Sequence, residues 1–454
     1  MPKLNAARSF RKTFSVAKIK NIYDIKILGA KTIGLDRVDS KNFEARNAEE
    51  IALISRKVLA GNYRFTKYKE KLISKGLGKS PRQLSIPTIR DRLTLKLLCE
   101  YLFEVFPGSK PSLPQDKIDK LRKSVDEGLY THFIKIDLKD FYPSISHKLL
   151  ISKLRKRVRL DIFKTLIVSA LENPTTSDAN IKNVSNVKQG VAQGLSISNV
   201  LAEIFMLDVD SRIREVTPVF FRFVDDLIVL TDSDPSGAFE KINSILRKSK
   251  LNPHPIDAIG SKTKIGKISD GLEFLGYSIK PKKVSVRKSS VINFEGSLVD
   301  AFSDYKHRLR DAKNVTEQQT ALARFRWNLN LKITGCIYKN QRFGWMFYYS
   351  QINDLSILKR IDNTIGMLFS RFKIARPPNP KRLLKTYYES KRTDKESHWY
   401  IPNYDSLSIE KKKRFLTEIG QKIDNLPDNE VDFVFHRLIR RATRSLEKDV
   451  LSFS

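Results

Sequence analysis

The sequence predicts an α+β chain, and three stretches carry that prediction. Phe221-Arg222-Phe223-Val224-Asp225-Asp226-Leu227-Ile228-Val229-Leu230 sets two β-branched and aromatic runs around paired aspartates, the pattern of a hairpin with the acids at its tip. His132-Phe133-Ile134-Lys135-Ile136-Asp137 alternates, with Ile134 and Ile136 on one face and Lys135 and Asp137 on the other. From about residue 290 long helical patterns take over. A tight hairpin turn favours Asn-Gly or Asp-Gly, so two adjacent carboxylates are a poor structural choice there. Taken alone, an Asp-Asp turn is usually just a solvated turn.

Composition narrows the partner. The chain has 454 residues, 41% of them hydrophobic, so it has enough apolar mass for two or three folded domains. It carries 84 Lys and Arg against 50 Asp and Glu, a net charge of +34. That excess points to a polyanion, nucleic acid first, with a basic solvated surface or an anionic membrane surface as the plain alternatives. No apolar run approaches the roughly 18 residues of a membrane span, and Met1 to Lys20 lack the apolar segment of a secretory signal. Cys99 and Cys336 both sit in apolar surroundings, too few for a disulfide framework or a zinc site. A soluble, cytoplasmic, nucleic-acid-directed protein is expected.

In chain order, residues 1–43 are basic with little periodicity. Ile51, Ile54 and Val58 follow helical spacing to Gly61, and Tyr63-Arg64-Phe65 reads as a short strand. Lys67, Lys69, Lys71, Lys75, Lys79 and Arg82 surround Gly76 and Gly78, which suits a triphosphate clamp on a hairpin or a solvated basic loop. Thr88 and Asp91 are spaced as a capping box for a helix through Leu102. A polar loop and a short helix fill 108–128. After Asp137, Ser146 caps a helix through Leu154, and Gln193-Gly194-Leu195-Ser196-Ile197-Ser198-Asn199 leads into another through Leu207. Asp234 and Pro235 open the next helix, and Glu273-Phe274-Leu275-Gly276-Tyr277 reads as a strand. Trp327, Trp345, Phe347, Tyr348 and Tyr349 among basic residues suit either a nucleic-acid track or a helical core, and the chain closes on a basic helix around His436–Arg444.

The chemistry lies in Asp137 taken with Asp225 and Asp226. Nucleotidyl transfer uses two Mg²⁺ ions roughly 3.5–4 Å apart, and Mg²⁺ takes hard oxygen ligands, which carboxylates on strands supply without His or Cys. Together these stretches resemble a reverse transcriptase of the bacterial superfamily that holds group II intron, retron and defence-associated enzymes, over about residues 30–350. Gly34 through Phe65 is similar to the N-terminal extension before the fingers, and Arg82 with Ile86–Arg92 to the fingers motif.

The resemblance implies a right-hand polymerase: fingers, a palm with an antiparallel sheet, a helical thumb, and here a helical C-terminal region. The corresponding domains are 1–290 (extension, fingers and palm), 291–375 (thumb) and 376–454 (basic helical region). It implies Asp137, Asp225 and Asp226 as catalytic metal ligands for two Mg²⁺ ions, with dNTPs as substrates. Arg82, and less directly Lys75, would meet the triphosphate, as would the backbone of Asp140 and Phe141. Tyr142 would be the steric gate against a 2′-hydroxyl, and Gln193, Gly194 and Ser198 would shape the nucleotide and template pocket. Lys262 would give a proton to pyrophosphate, with Lys264 as alternative, and Phe274, Leu275, Gly276 and Tyr277 would form the primer grip.

Implied partners are an RNA template, a dedicated noncoding RNA among the candidates, and the DNA product; no membrane is expected, and a partner protein or a homo-oligomer stays open. Departures bear on the subgroup. Phe223 stands for the usual Tyr, Asn199 for a common Pro, and neither a Tyr-Gly-Phe-Arg stretch before Asp137 nor a Cys/His-rich endonuclease module is present. This layout fits an antiphage-defence enzyme better than a mobile-intron one. The alternatives are a group II intron or retron-type enzyme outside defence, an RNA-binding maturase-like protein with an unused site, and an RNA-dependent RNA polymerase, which Tyr142 and Phe223-Val224 oppose. A protein primer would draw its hydroxyl from Tyr348, Tyr349, Tyr387 or Tyr388, none of which the sequence selects.

Overall fold

The computed structural model describes residues 5–28, 32–74, 80–178, 185–217, 219–256, 261–392 and 400–451. The chain divides into two compact units, Met1–Ser112 with His132–Ile265 and Leu113–Thr131 with Gly266–Ser454. This division falls at Ile265/Gly266 rather than near 290, and each unit mixes helices with small, mainly antiparallel sheets, an α+β fold.

In the first unit three antiparallel strands form the centre, in the order Val219–Phe223, Asp226–Thr231, His132–Asp137. Ile134, Ile136, Leu227, Ile228, Val229 and Leu230 are fully buried, each contributing about 1.5–3 kcal/mol of burial. Four consecutive buried residues, Leu227 to Leu230, put apolar side chains on both faces of the central strand, and its ladder with the Asp137 strand keeps one register from His132 opposite Thr231 onward. That register sets Asp137 directly opposite Asp226 and closes the hairpin with Phe223 opposite Asp226. The two-residue turn is therefore Val224-Asp225, and Asp226 begins the return strand. The expectation of both acids at the tip holds for Asp225 alone.

Around this sheet stand helices whose starts follow local chemistry. Asp234 accepts from the N–H groups of Ser236 and Gly237 at 2.9 and 2.8 Å and opens Pro235–Lys248. Gly61, at φ 73°, ends Asn47–Leu59 as its spacing implies. The supposed strand at Tyr63–Phe65 is irregular backbone, and the basic hairpin is Tyr68–Ile73 with Arg82–Ile86. Residues 1–43 hold more structure than expected: Asn5 and Ser15 cap the helices Ala6–Thr13 and Val16–Ile22. Phe10, Phe14, Ile19, Ile22 and Tyr23 enter the core. Their spacing spans two short helices and an intervening cap, so no single helical period runs through it.

In the second unit the stretch expected as one strand is a hairpin, Leu272–Phe274 with Tyr277–Lys280, extended by Lys283–Val286. Leu275 and Gly276 both have positive φ, 49° and 79°, the left-handed pair that a tight hairpin turn requires. Lys288–Asp311 and Val315–Thr334 follow, where Tyr305 stacks on Phe325 at 4.7 Å and Phe294 on Trp345 at 4.5 Å. Trp345, Phe347 and Tyr349 are buried, so these three are core rather than a nucleic-acid track. The basic helix Asp428–Leu451 turns Val431, Phe435, Ile439 and Leu446 into a cluster with Leu331, Cys336 and Tyr338. One core thus spans the boundary expected at 375/376.

The helix Ile89–Val105 carries a buried acid in its first turn. Thr88 caps as expected, accepting from Asp91 N at 3.2 Å, but the Asp91 carboxylate points elsewhere and accepts from Tyr63 Oη at 2.7 Å and Thr66 N at 3.0 Å. Burial pushes its pKa up to about 6 despite those donors. Asp91→Ala leaves both donors unpaired and should cost on the order of 2–3 kcal/mol in urea unfolding. The folded state keeps the Asp91 proton at pH values where the unfolded chain has lost it. The stability that this proton supplies is full below the unfolded pKa near 4 and is lost as pH rises through about 6. The stability difference between wild type and Asp91→Asn should follow that slope, and a difference independent of pH would contradict it.

Candidate active site

Asp137 and Asp226 face each other across two strands, so their side chains leave the sheet on one face. Asp225 precedes Asp226 in the turn. Val224 there has φ 56°, a left-handed conformation that costs a β-branched residue about 1–3 kcal/mol and that clusters at functional sites. The three acids lie in one another's field. Burial pushes Asp225 above the ordinary carboxylate range and Asp137 adds to this, while Lys262 and Arg82 oppose it. Burial pushes Asp226 up to about 6, with Lys135 opposing and Asp137 and Asp225 reinforcing.

Two cationic or ionisable groups lean on the acids. Lys135, itself buried, places Nζ 3.5 Å from Asp226 Oδ2. His254 Nε2 stands 3.7 Å from Asp137 Oδ2, and its backbone N–H donates to Asp137 O at 2.9 Å. Asp137 N donates to the buried hydroxyl of Thr263 at 3.0 Å. Among the described residues no group of three or more His, Cys, Asp or Glu is gathered closely enough to hold a metal ion. The donor set nonetheless fits a hard divalent cation: it is all oxygen, its carboxylates repel one another, and the buried Asp226 Oδ1 accepts no hydrogen bond among the described residues.

The residues expected at the nucleotide pocket belong to the same unit as these acids. Asp140 takes a left-handed conformation (φ 47°, ψ 45°) that turns the chain into the short helix Phe141–Ser144. Tyr142 Oη stands 3.4 Å from Asn199 Oδ1, and burial followed by Asp225 and Glu203 pushes its phenol up to about 12. Ser85 N donates to Gln193 O at 2.7 Å. A Cβ on Gly194 (φ 99°) would stand 3.0 Å from Ser85 O, so a side chain there would push on the basic hairpin. Ser198 Oγ donates to Ala192 O at 2.5 Å at the start of the helix Ser198–Val216. Arg82 lies within the field of both Tyr142 and Asp225. Lys262 is exposed near the acids, whereas Lys264 Nζ lies over the Phe133 ring at 5.6 Å.

Lys75 lies outside the described residues. Phe274, Leu275, Gly276 and Tyr277 belong to the second unit, where Phe274 and Tyr277 are buried. Tyr348 Oη donates to Leu275 O at 3.1 Å, and Tyr277 Oη donates to Tyr348 O. Of the four tyrosines weighed for priming, Tyr349 and Tyr387 are buried and Tyr388 is the exposed one, at 58%. Lys135, Thr263 and the acids that answer Arg222 have no role assigned from sequence alone. A lysine sharing a strand face with Asp137 was a visible signal; the others depend on contacts between distant segments.

Residues 69–279 match the family described as Reverse transcriptase (RNA-dependent DNA polymerase). The chain carries a reverse transcriptase domain. Protein YkfC of Escherichia coli (strain K12) is 22% identical to it over 316 residues, 58% of this chain and 80% of that protein. Among solved structures, an apo telomerase from Candida tropicalis truncated from its C-terminal domain is 17% identical with a TM-score of 0.38. That match covers 49% of this chain, which spans only 55% of that one. A telomerase from Candida albicans with a fragment of telomeric RNA is 14% identical with a TM-score of 0.43, covering 90% of this chain and 67% of that one. The reverse transcriptase domain takes in the basic hairpin, all three acids and the strand to Ile279. Among the described residues no helix is long and apolar enough to cross a membrane.

Within this domain Thr263→Val is nearly isosteric and removes the acceptor of the Asp137 amide. It should cost about 1–2 kcal/mol in chemical denaturation and speed hydrogen exchange at Asp137. Unchanged exchange there would show that the bond does not hold the strand end.

Proposed function

We propose that this chain is an RNA-directed DNA polymerase whose divalent cations are held by Asp137, Asp225 and Asp226. The observation that carries this is the strand register that sets Asp137 opposite Asp226, with Asp225 adjoining in a strained turn. A bound pair of divalent cations, Mg²⁺ first, would lower the charge on the attacking 3′-oxygen and the leaving pyrophosphate.

The chain's own residues do the rest. Lys135 offsets part of the charge at Asp226, so three carboxylates coexist in a half-buried site. Arg82 and the backbone N–H groups of Asp140 and Phe141 bind the dNTP triphosphate, and exposed Lys262 hands a proton to pyrophosphate. Tyr142, its hydroxyl near Asn199, packs its ring beneath the sugar and selects against a 2′-hydroxyl. Gln193, Gly194 and Ser198 shape the base and template pocket. At the primer grip, Leu275 and backbone meet the primer, because Phe274 and Tyr277 are committed to core. An RNA template steered in by the +34 chain should bind with steep salt dependence. A dedicated noncoding RNA and a role in antiphage defence, in the cytoplasm, complete the reading; its support is the helical C-terminal region.

Primer extension on RNA with dNTPs and Mg²⁺ tests it. Asp137→Ala and Asp225→Ala should each lower DNA synthesis on the order of 10³-fold or more with the fold retained by circular dichroism. Wild-type protein that is folded yet incorporates nothing on any template would overturn the reading. Tyr142→Ala should raise ribonucleotide incorporation about tenfold, and a wild type that already prefers ribonucleotides would refute the gate. Unaltered phage protection by Asp225→Ala in cells would instead favour a binding protein.

A further inference from the structure

Arg222 interrupts an apolar strand and is 7% exposed. A buried guanidinium needs all its charge and donors answered, and here each N–H has a partner. Nε and Nη2 donate to Asp210 Oδ1 and Oδ2, both at 2.8 Å. Nη1 and Nη2 donate to Glu203 Oε1 and Oε2 at 2.9 and 2.7 Å. The remaining Nη1 proton goes to the carbonyl of Val224 at 3.0 Å. Glu203 and Asp210 lie two turns apart on one face of the helix Ser198–Val216, the helix that begins at the nucleotide pocket.

That last bond reaches the strained turn. The Val224 carbonyl belongs to the peptide that joins Val224 to Asp225, and Val224 is the β-branched residue at φ 56°. Fixing the oxygen fixes the plane of that peptide and with it the backbone from which the Asp225 carboxylate projects. We infer that Arg222, braced by Glu203 and Asp210, is the positioning residue of the catalytic turn, holding Val224 left-handed so that Asp225 stays beside Asp137 and Asp226. The brace also ties the turn to the helix carrying Ser198 and Asn199, so the metal acids and the nucleotide pocket share one rigid support. Lysine cannot replace it, because an ammonium lacks the planar fork that serves two carboxylates and a carbonyl at once.

The inference rests on the proposed role of Asp225, and its test has one arm that needs no turnover. In Arg222→Lys, hydrogen exchange of the amides in 219–231 should quicken about tenfold while the helix Ile89–Val105 exchanges as in wild type. In primer extension kcat should fall on the order of 100-fold with the KM for dNTP within about twofold of wild type. Where Arg222→Lys does not fold, Glu203→Gln, which leaves the Asp210 pair intact, should show the same local exchange and a smaller fall in kcat. Exchange in 219–231 unchanged in a folded variant, or quickened equally throughout the chain, would overturn the inference. A wild type without polymerase activity would sink the role of Asp225 and leave the exchange result readable by itself.

Discussion

Mutual repulsion among three carboxylates is the constraint that the first unit is built to withstand. Left in water, Asp137, Asp225 and Asp226 would separate. Here strand register presses two of them face to face and a strained turn supplies the third. Burial first, and the neighbouring acids after it, raise the pKa values of Asp225 and Asp226, and one buried carboxylate oxygen has no hydrogen bond among the described residues. Structure alone gains nothing from such an arrangement, since a sheet end closes more favourably with an Asn-Gly turn. The proposed divalent cation would relieve it.

What holds the acids together is local in space and scattered in sequence. The strand ladder pairs Asp137 with Asp226, Thr263 and the backbone N–H of His254 pin the end of the Asp137 strand, and Lys135 places its ammonium beside Asp226. Gly194 lets the pocket loop pack on the basic hairpin at Ser85, so the elements around the nucleotide pocket are fitted by backbone contact as much as by side chains. The buried Arg222 with its two acids joins the helix to the hairpin. A buried ion cluster of this kind gives little net stability against an apolar replacement. Its presence is better understood through what it orients.

Much of this was legible in the chain. Alternation placed Lys135 and Asp137 on one strand face, the flanking runs marked the hairpin, and cap residues marked the helices at Asp234 and Thr88. Other features were not. A hairpin turn at Leu275-Gly276 hid inside an apolar run because leucine rarely adopts positive φ. The N-terminal helices were missed because their apolar residues belong to two short periods separated by Ser15. Asp91 looked like half of a capping box, yet its carboxylate serves Tyr63 and Thr66, a contact no local pattern encodes. Likewise nothing in the local pattern around Arg222 tells which acids answer its charge.

The central claim is that the three acids are a cation site and not merely a repulsive cluster. Mn²⁺ titrated into the protein with a dNTP present, followed by electron paramagnetic resonance, tests it most directly. Wild type should bind the ion in a nucleotide-dependent way, and Asp137→Asn and Asp225→Asn should each abolish that signal while remaining folded. Equal Mn²⁺ binding by wild type and both variants would contradict the account.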